Sequence, residues 1–181
     1  SCFSFFTSSP LCHFEDDIEP EPVEGWTHES TVGPDDWAVR SFTDARSPPH
    51  AWSARGFDGL KDASLISPPL DIEDGDRLTF WHAYELEEGY DGAVLEISTD
   101  DGSTWSDLGE FMTRGGYSME LDSTNPLGAR PAWTGRMGGD GMSQVQVDLS
   151  AWAGKERRLC FRIGCDSSTV EGFGWTIDDI S

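Results

Sequence analysis

Acidic side chains gather at three places in this 181-residue chain, and binding of a hard cation is the first chemistry they suggest. Phe14-Glu15-Asp16-Asp17 opens the patterned part of the sequence, and Ile177-Asp178-Asp179-Ile180 closes it. Counting by two along a strand puts Asp179 on the face of Trp175 and Ile177, where a bare carboxylate turned into a core is costly. A Ca²⁺ ion held by Glu15, Asp178 or Asp179, completed by loop carbonyls to about six to eight oxygens, would compensate it. The plain alternative is a set of solvated acids in a chain with 34 Asp and Glu. The third cluster holds Glu85, Glu87, Glu88 and Asp91. Two carboxylates held roughly 5 to 9 Å apart can work as acid and base on a glycosidic bond. Nothing local marks a desolvated partner, so the preferred reading is a turn closing two strands, with a second ion bound by Asp91 and Asp166.

No complete catalytic apparatus accompanies these acids. His13, His28, His50 and His82 are scattered, and the HExxH, G-x-S-x-G and G-x-x-x-x-G-K-[ST] patterns do not occur. His82, between aromatics, reads as a hydrogen-bonded core residue. Cys2, Cys12, Cys160 and Cys165 form two terminal pairs, neither with the CxxC spacing of a zinc knuckle. Their even number fits two disulfides made in an oxidising compartment, with the connectivity open; buried free thiols are the other reading.

Against those 34 acids stand 12 Lys and Arg, a formal net charge of -22. Phosphate neutralisation needs clustered cations, so no nucleic acid partner is expected, and an anionic leaflet is repelled. The same charge suits a surface adapted to high salt or one that docks on a basic partner. No apolar run approaches the roughly 18 residues of a membrane span, so no membrane insertion is expected either. The sequence starts at Ser1, as a processed chain or a piece of a longer one would, and with the cysteines this points to a secreted or cell-surface location.

The elements that must position these residues are strands. Leu78, Phe80, His82 and Tyr84 alternate with Thr79, Trp81 and Ala83, apolar on both faces as in an interior strand. Val145, Val147 and Leu149, then Leu159, Phe161 and Ile163, then Trp175 and Ile177 repeat the period of two, and no stretch holds a helical period for three turns. This predicts an all-β, antiparallel jelly-roll β-sandwich with long loops: residues 14–181 as one domain, residues 1–13 as an extension with a possible disulfide. The core is aromatic, with 8 Trp, 10 Phe and 3 Tyr to draw on. Trp81, Trp105 and Trp175 read as core. Trp37, Trp52 and Trp133, with Tyr117, fall on or beside long polar connections and form a candidate platform for stacking on a sugar ring. Residues 98–105, Ser-Thr-Asp-Asp-Gly-Ser-Thr-Trp, resemble the Asp-box of sialidase hairpins. That motif specifies a turn: Asp100 accepts from turn amides, Gly102 supplies positive φ, and Trp105 staples the hairpin to the core.

Phe14-Glu15 with Trp26, Ser67-Pro68-Pro69-Leu70, Leu78-Thr79-Phe80-Trp81-His82, Tyr90-Asp91-Gly92, Asn125-Pro126-Leu127, Trp133-Thr134-Gly135 and Gly174-Trp175-Thr176-Ile177-Asp178-Asp179-Ile180 occur in the order of a known family. Over residues 14–181 the chain resembles the MAM-like, choice-of-anchor J and immune-inhibitor-A type jelly-roll modules of bacterial secreted proteins. The resemblance implies a non-catalytic accessory or adhesion module with structural Ca²⁺ near joined termini, attached to an adjacent domain and binding a glycan or a cell-surface protein. In that family the position of Cys165 is more often Ser or Thr. The competing expectation is a carbohydrate-active enzyme or lectin that uses the loop Trp residues with Glu85, Glu88 and Asp91.

Overall fold

A computed structural model describes residues 14–137, 141–168 and 172–181; Cys2, Cys12, His13 and the expected extension lie outside them. Its strands are β1 (Thr27–Val32), β2 (Ala38–Ser41), β3 (His50–Ala54), β4 (Lys61–Ile66), β5 (Leu70–Ile72), β6 (Arg77–Glu85) and β7 (Gly92–Ser98). They continue as β8 (Ser106–Asp107), β9 (Met112–Arg114), β10 (Met119–Glu120), β11 (Pro131–Ala132), β12 (Ser143–Asp148), β13 (Gly154–Cys165) and β14 (Gly174–Asp178). The first sheet has the order β1-β4-β13-β7-β8, with β5 also on β13. The second has the order β2-β3-β14-β6-β12-β9. Every pairing in the two sheets is antiparallel, so the sandwich expected from the alternation is the fold observed.

Register explains why alternation produced a core. Leu65, Phe161 and Leu95 are cross-strand partners in the first sheet, as are Val145 with Phe80 and Ile177 with His82 in the second. All belong to one buried cluster except His82, which is itself 2% exposed. β6 is interior, between β14 and β12. Its other face is the outside of the sandwich, so Trp81 is half-buried there rather than in the core, with the Arg46 guanidinium 4.5 Å above its ring. The opposite ends of the domain meet: Asp16 and Ile180 exchange backbone hydrogen bonds of 2.8 and 2.9 Å, and Thr79 and Ser181 do the same beside them.

The cysteine expectation needs correction where it can be read. Cys160 and Cys165 are buried free thiols. They lie five residues apart on one extended strand, roughly 16 Å at strand rise, and at an odd spacing that turns them to opposite faces. Burial pushes both thiols up to about 12. A thiol reagent should therefore modify neither in the native protein and both after denaturation without reductant; modification at equal rates in the two states would contradict this packing.

His82 carries a pH signature. Trp175 Nε1 donates to its Nδ1 at 3.2 Å, which places the imidazole proton on Nε2, and burial holds its pKa down at about 3. The unfolded chain, with His near 6.5, takes up a proton that the native state refuses. Stability is therefore complete above about pH 6.5 and falls as the pH drops towards 3, by up to about 1.4 kcal/mol per pH unit. Melts from pH 7 to 4 should show a steeper fall in Tm for the parent than for His82→Asn; parallel curves would show that His82 is not the titrating group.

Candidate functional site

The candidate aromatic platform is taken up by the core. Trp37, Trp52 and Trp133 are 2%, 6% and 1% exposed. Trp37 donates to the Ala63 carbonyl, and its ring lies 5.7 Å from Trp175. Trp52 points inward from β3, 6.1 Å from Trp26. Trp133 donates to Gly115 O at 2.8 Å and lies 4.8 Å from Tyr117 and 4.9 Å from His82. The Tyr117 hydroxyl is held by Leu95 and Asp107. The three Trp rings offer no open face to a sugar, and Tyr117 is half-buried against the core. The turn residues do as expected in part. Asp100 accepts from Thr104 N and Oγ1 and from Ser98 Oγ, and Gly102 has φ 86°. Trp105, however, is half-buried over Gly102 of its own turn, outside the core cluster.

The terminal acids separate on folding. Asp179 takes φ 47°, which breaks the period of two, so Asp178 rather than Asp179 is the fully buried carboxylate. It faces outward from β14 under the 42–49 loop and accepts from Ser47 N and Asp179 N, both at 2.8 Å. Burial raises its pKa while those amides oppose the rise. Glu15 is exposed, and with Asp17 and Asp179 it lines a shallow groove of about 490 Å³ beside Trp81. Asp16 is the buried member of its run, accepting from Ile18 N, Val23 N and Trp26 Nε1.

At the opposite end of the sandwich the β6–β7 loop and the end of β13 bring three carboxylates together. Glu87, Asp91 and Asp166 place ligand oxygens within 4.8 Å of one another. The turn is fixed because the amides of Tyr90 and Asp91 both donate to Glu87 O, and Gly89 N donates to Thr134 Oγ1. Asp91 is 1% exposed and Asp166 6%. Asp91 Oδ1 accepts from Asp166 N at 3.0 Å, whereas its Oδ2 is buried without a hydrogen-bond partner. Burial and the charges of Asp166 and Glu87 push Asp91 up to about 6, against the Asp166 amide and the neighbouring Cys165 thiol. Asp91 and Asp166 are thus adjacent as expected. Glu85 instead pairs with Arg136 and Glu88 is exposed, so of Glu85, Glu88 and Asp91 only Asp91 belongs to the cluster.

A groove of about 840 Å³ opens on the outside of the second sheet. Its floor is Ala83 and Thr176, outward-facing partners on β6 and β14. Phe42 and Asp44 stand on one side, and Arg136, Met137, Met142 and Phe173 on the other. Phe173 is 45% exposed. These residues sit in irregular segments, where periodicity is silent; only the exposed aromatic next to turn residues was a signal.

No protein-family model matches the sequence, and no curated protein does. Solved structures do match in shape. The K3 cleaved adhesin domain of Lys-gingipain from Porphyromonas gingivalis W83 is similar at TM-score 0.57 and 18% identity, over 92% of this chain and 96% of that one. The K1 cleaved adhesin domain of the same protein gives 0.56 and 17%, over 92% and 95%. A structure of carbohydrate-binding modules from the beta-sandwich super family gives 0.56 and 14%, over 92% of this chain and 60% of that one. These likenesses establish the sandwich fold.

Proposed function

We propose that this chain is a non-catalytic, calcium-stabilised accessory or adhesion module of the MAM-like type, exported with an adjacent domain, and that it holds a glycan in the groove over Ala83 and Thr176. The observation that carries the reading is the groove itself, whose volume suits a small ligand and whose walls offer an open aromatic ring, Phe173, beside a charged guanidinium, Arg136. Apolar ring faces and fixed polar groups are what a pyranose needs. The adhesin and carbohydrate-binding neighbours support the same reading, and among the described residues no helix is long and apolar enough to cross a membrane. The enzyme alternative is less well supported. Asp44 is the one acid lining the groove among the described residues, whereas glycosidic hydrolysis ordinarily takes two carboxylates.

A glycan array should return binders, and Phe173→Ala should weaken the best of them by about tenfold or more, equivalent to about 1.4 kcal/mol, with little change in Tm. Trp133→Ala should instead destabilise the fold by about 3–5 kcal/mol. A bound glycan whose affinity ignores Phe173→Ala and Arg136→Ala would move the site elsewhere, and turnover of a glycan would overturn the non-catalytic assignment.

A further inference from the structure

We infer that the pocket of Glu87, Asp91 and Asp166 is a Ca²⁺ site that pins three loops at the end of the sandwich away from the termini. This rests on the calcium part of the reading above and gives it a location. The first ground is the acidic cluster itself: three carboxylates with oxygens within 4.8 Å, two of them buried, none in an ion pair among the described residues. The second is independent of the first. Asp91 Oδ2 is buried without a hydrogen-bond partner, and one amide with the weak donor of the Cys165 thiol is slight compensation for a carboxylate that is 1% exposed. Other buried carboxylates have stronger partners: two amides at Asp178, the Arg162 fork at 2.6 and 2.7 Å on Asp62, and, at Glu96, whose Oε2 also lacks a hydrogen bond, Arg130 at 2.6 Å and Arg162 at 3.5 Å.

The donors are hard oxygens, as Ca²⁺ prefers, and flexible enough in number for its roughly six to eight ligands. Ser168 Oγ lies within hydrogen-bond reach of both Glu87 and Asp166, to either of which its one proton can go, and Thr124 Oγ1 reaches Asp166 Oδ2 at 3.3 Å, so two hydroxyls already stand at the rim. The third loop is held by Asn125, whose Nδ2 donates to Tyr90 O at 2.6 Å and Gly164 O at 3.0 Å. An ion here would lock the 85–92, 122–127 and 164–168 segments together. The last of these leads towards Gly172, where an added Cβ would stand 2.3 Å from Glu85 O, and then to Phe173 of the groove wall. The ion would therefore brace one wall of the groove without contacting a ligand in it.

The test is calorimetry on the full chain after EDTA treatment, with Ca²⁺, Mg²⁺ or Zn²⁺ added back, and isothermal titration for stoichiometry. Ca²⁺ at about a hundredfold over Kd should raise Tm by about 5–10 °C. Asp91→Asn should abolish that rise while melting no lower than the EDTA-treated parent, because it removes an uncompensated charge. Glu87→Gln, at a half-buried position, provides the same test should Asp91→Asn fail to fold. Asp179→Asn should leave the rise intact. A rise that survives Asp91→Asn and Glu87→Gln but is lost in Asp179→Asn would overturn this site and leave a calcium-stabilised module with its ion at the termini. No response to Ca²⁺ in the parent, or a response to Zn²⁺ alone, would overturn both the site and the calcium part of the reading, while glycan binding would be judged separately.

Discussion

The interior is organised around rings that must meet edge to face. His82 stands 4.9 Å from Trp133, 5.3 Å from Tyr84 and 5.6 Å from Phe80, each contact T-shaped, and Trp175 anchors it through its indole N–H. Such contacts add about 0.5–1.5 kcal/mol each to the area they bury, and they have direction. Rings with a polar edge usually enter a core where that edge finds a partner, as Trp133 does at Gly115 O and Trp37 at Ala63 O; the Trp52 Nε1 is buried without one. The Trp37 bond ties the β1–β2 connection to β4, and the backbone bridge between Trp133 and Ala93 ties the 113–137 connection to β7, so the long loops are positioned by the core. Most of the aromatic content is taken up inside, and among the described residues Phe57, Tyr90 and Phe173 are the large rings left exposed.

Charge is organised by local compensation. A chain with 34 acids and 12 bases cannot pair each carboxylate with a cation. Cations go where burial is deepest on the outer face of the first sheet: Arg162 forks onto Asp62 and approaches Glu96, while Arg130 joins Glu96 to Asp107. Burial would raise the Asp62 carboxyl, but the Arg162 fork and the Thr31 hydroxyl outweigh it, and its pKa lies below the usual carboxylate range. Elsewhere backbone amides replace cations, at Asp16 and Asp178. Asp91 and Glu96 each bury an oxygen without a hydrogen bond, but Glu96 has two arginines beside it, whereas among the described residues Asp91 has no cation.

How much of this was legible in the sequence follows from what periodicity can and cannot encode. The period of two located β6 and β12, whose burial repeats every second residue, and also β7, β13 and β14, where apolar side chains alternate in the sequence although burial is continuous over much or all of the strand. It failed at Asp179, where a left-handed residue exchanges the roles of neighbouring side chains, and no local residue type announces that φ. It could not separate the inside of β6 from its outside, since Trp81 is as apolar as the residues it alternates with. Trp37 and Trp133 sit in segments without a period, and their burial depends on carbonyls brought near by distant strands. The proximity of Asp91 to Asp166 was readable because each stands at the end of an expected strand, and paired strands bring their ends together. The contribution of Glu87 came from a turn that only its hydrogen bonds define.

The same alternation decides where a groove can exist. On the outside of the second sheet the small residues Ser53, Thr176 and Ala83 are cross-strand neighbours on β3, β14 and β6. A floor of small side chains leaves room between the 42–49 loop and Arg136, Met137, Met142 and Phe173. One outward step along β6 stands Trp81, with Arg46 stacked over it. That pair fills the face and divides it into an aromatic-walled groove on the Ala83 side and an acidic one, lined by Glu15, Asp17 and Asp179, on the Thr79 side. Thr79 is bonded to Ser181, so the acidic groove belongs to the end where the termini meet. The aromatic-walled groove lies on the side of the three-carboxylate pocket. Two grooves of opposite character on one sheet face thus follow from the order Thr79, Trp81, Ala83, in which a single large residue stands between two small ones.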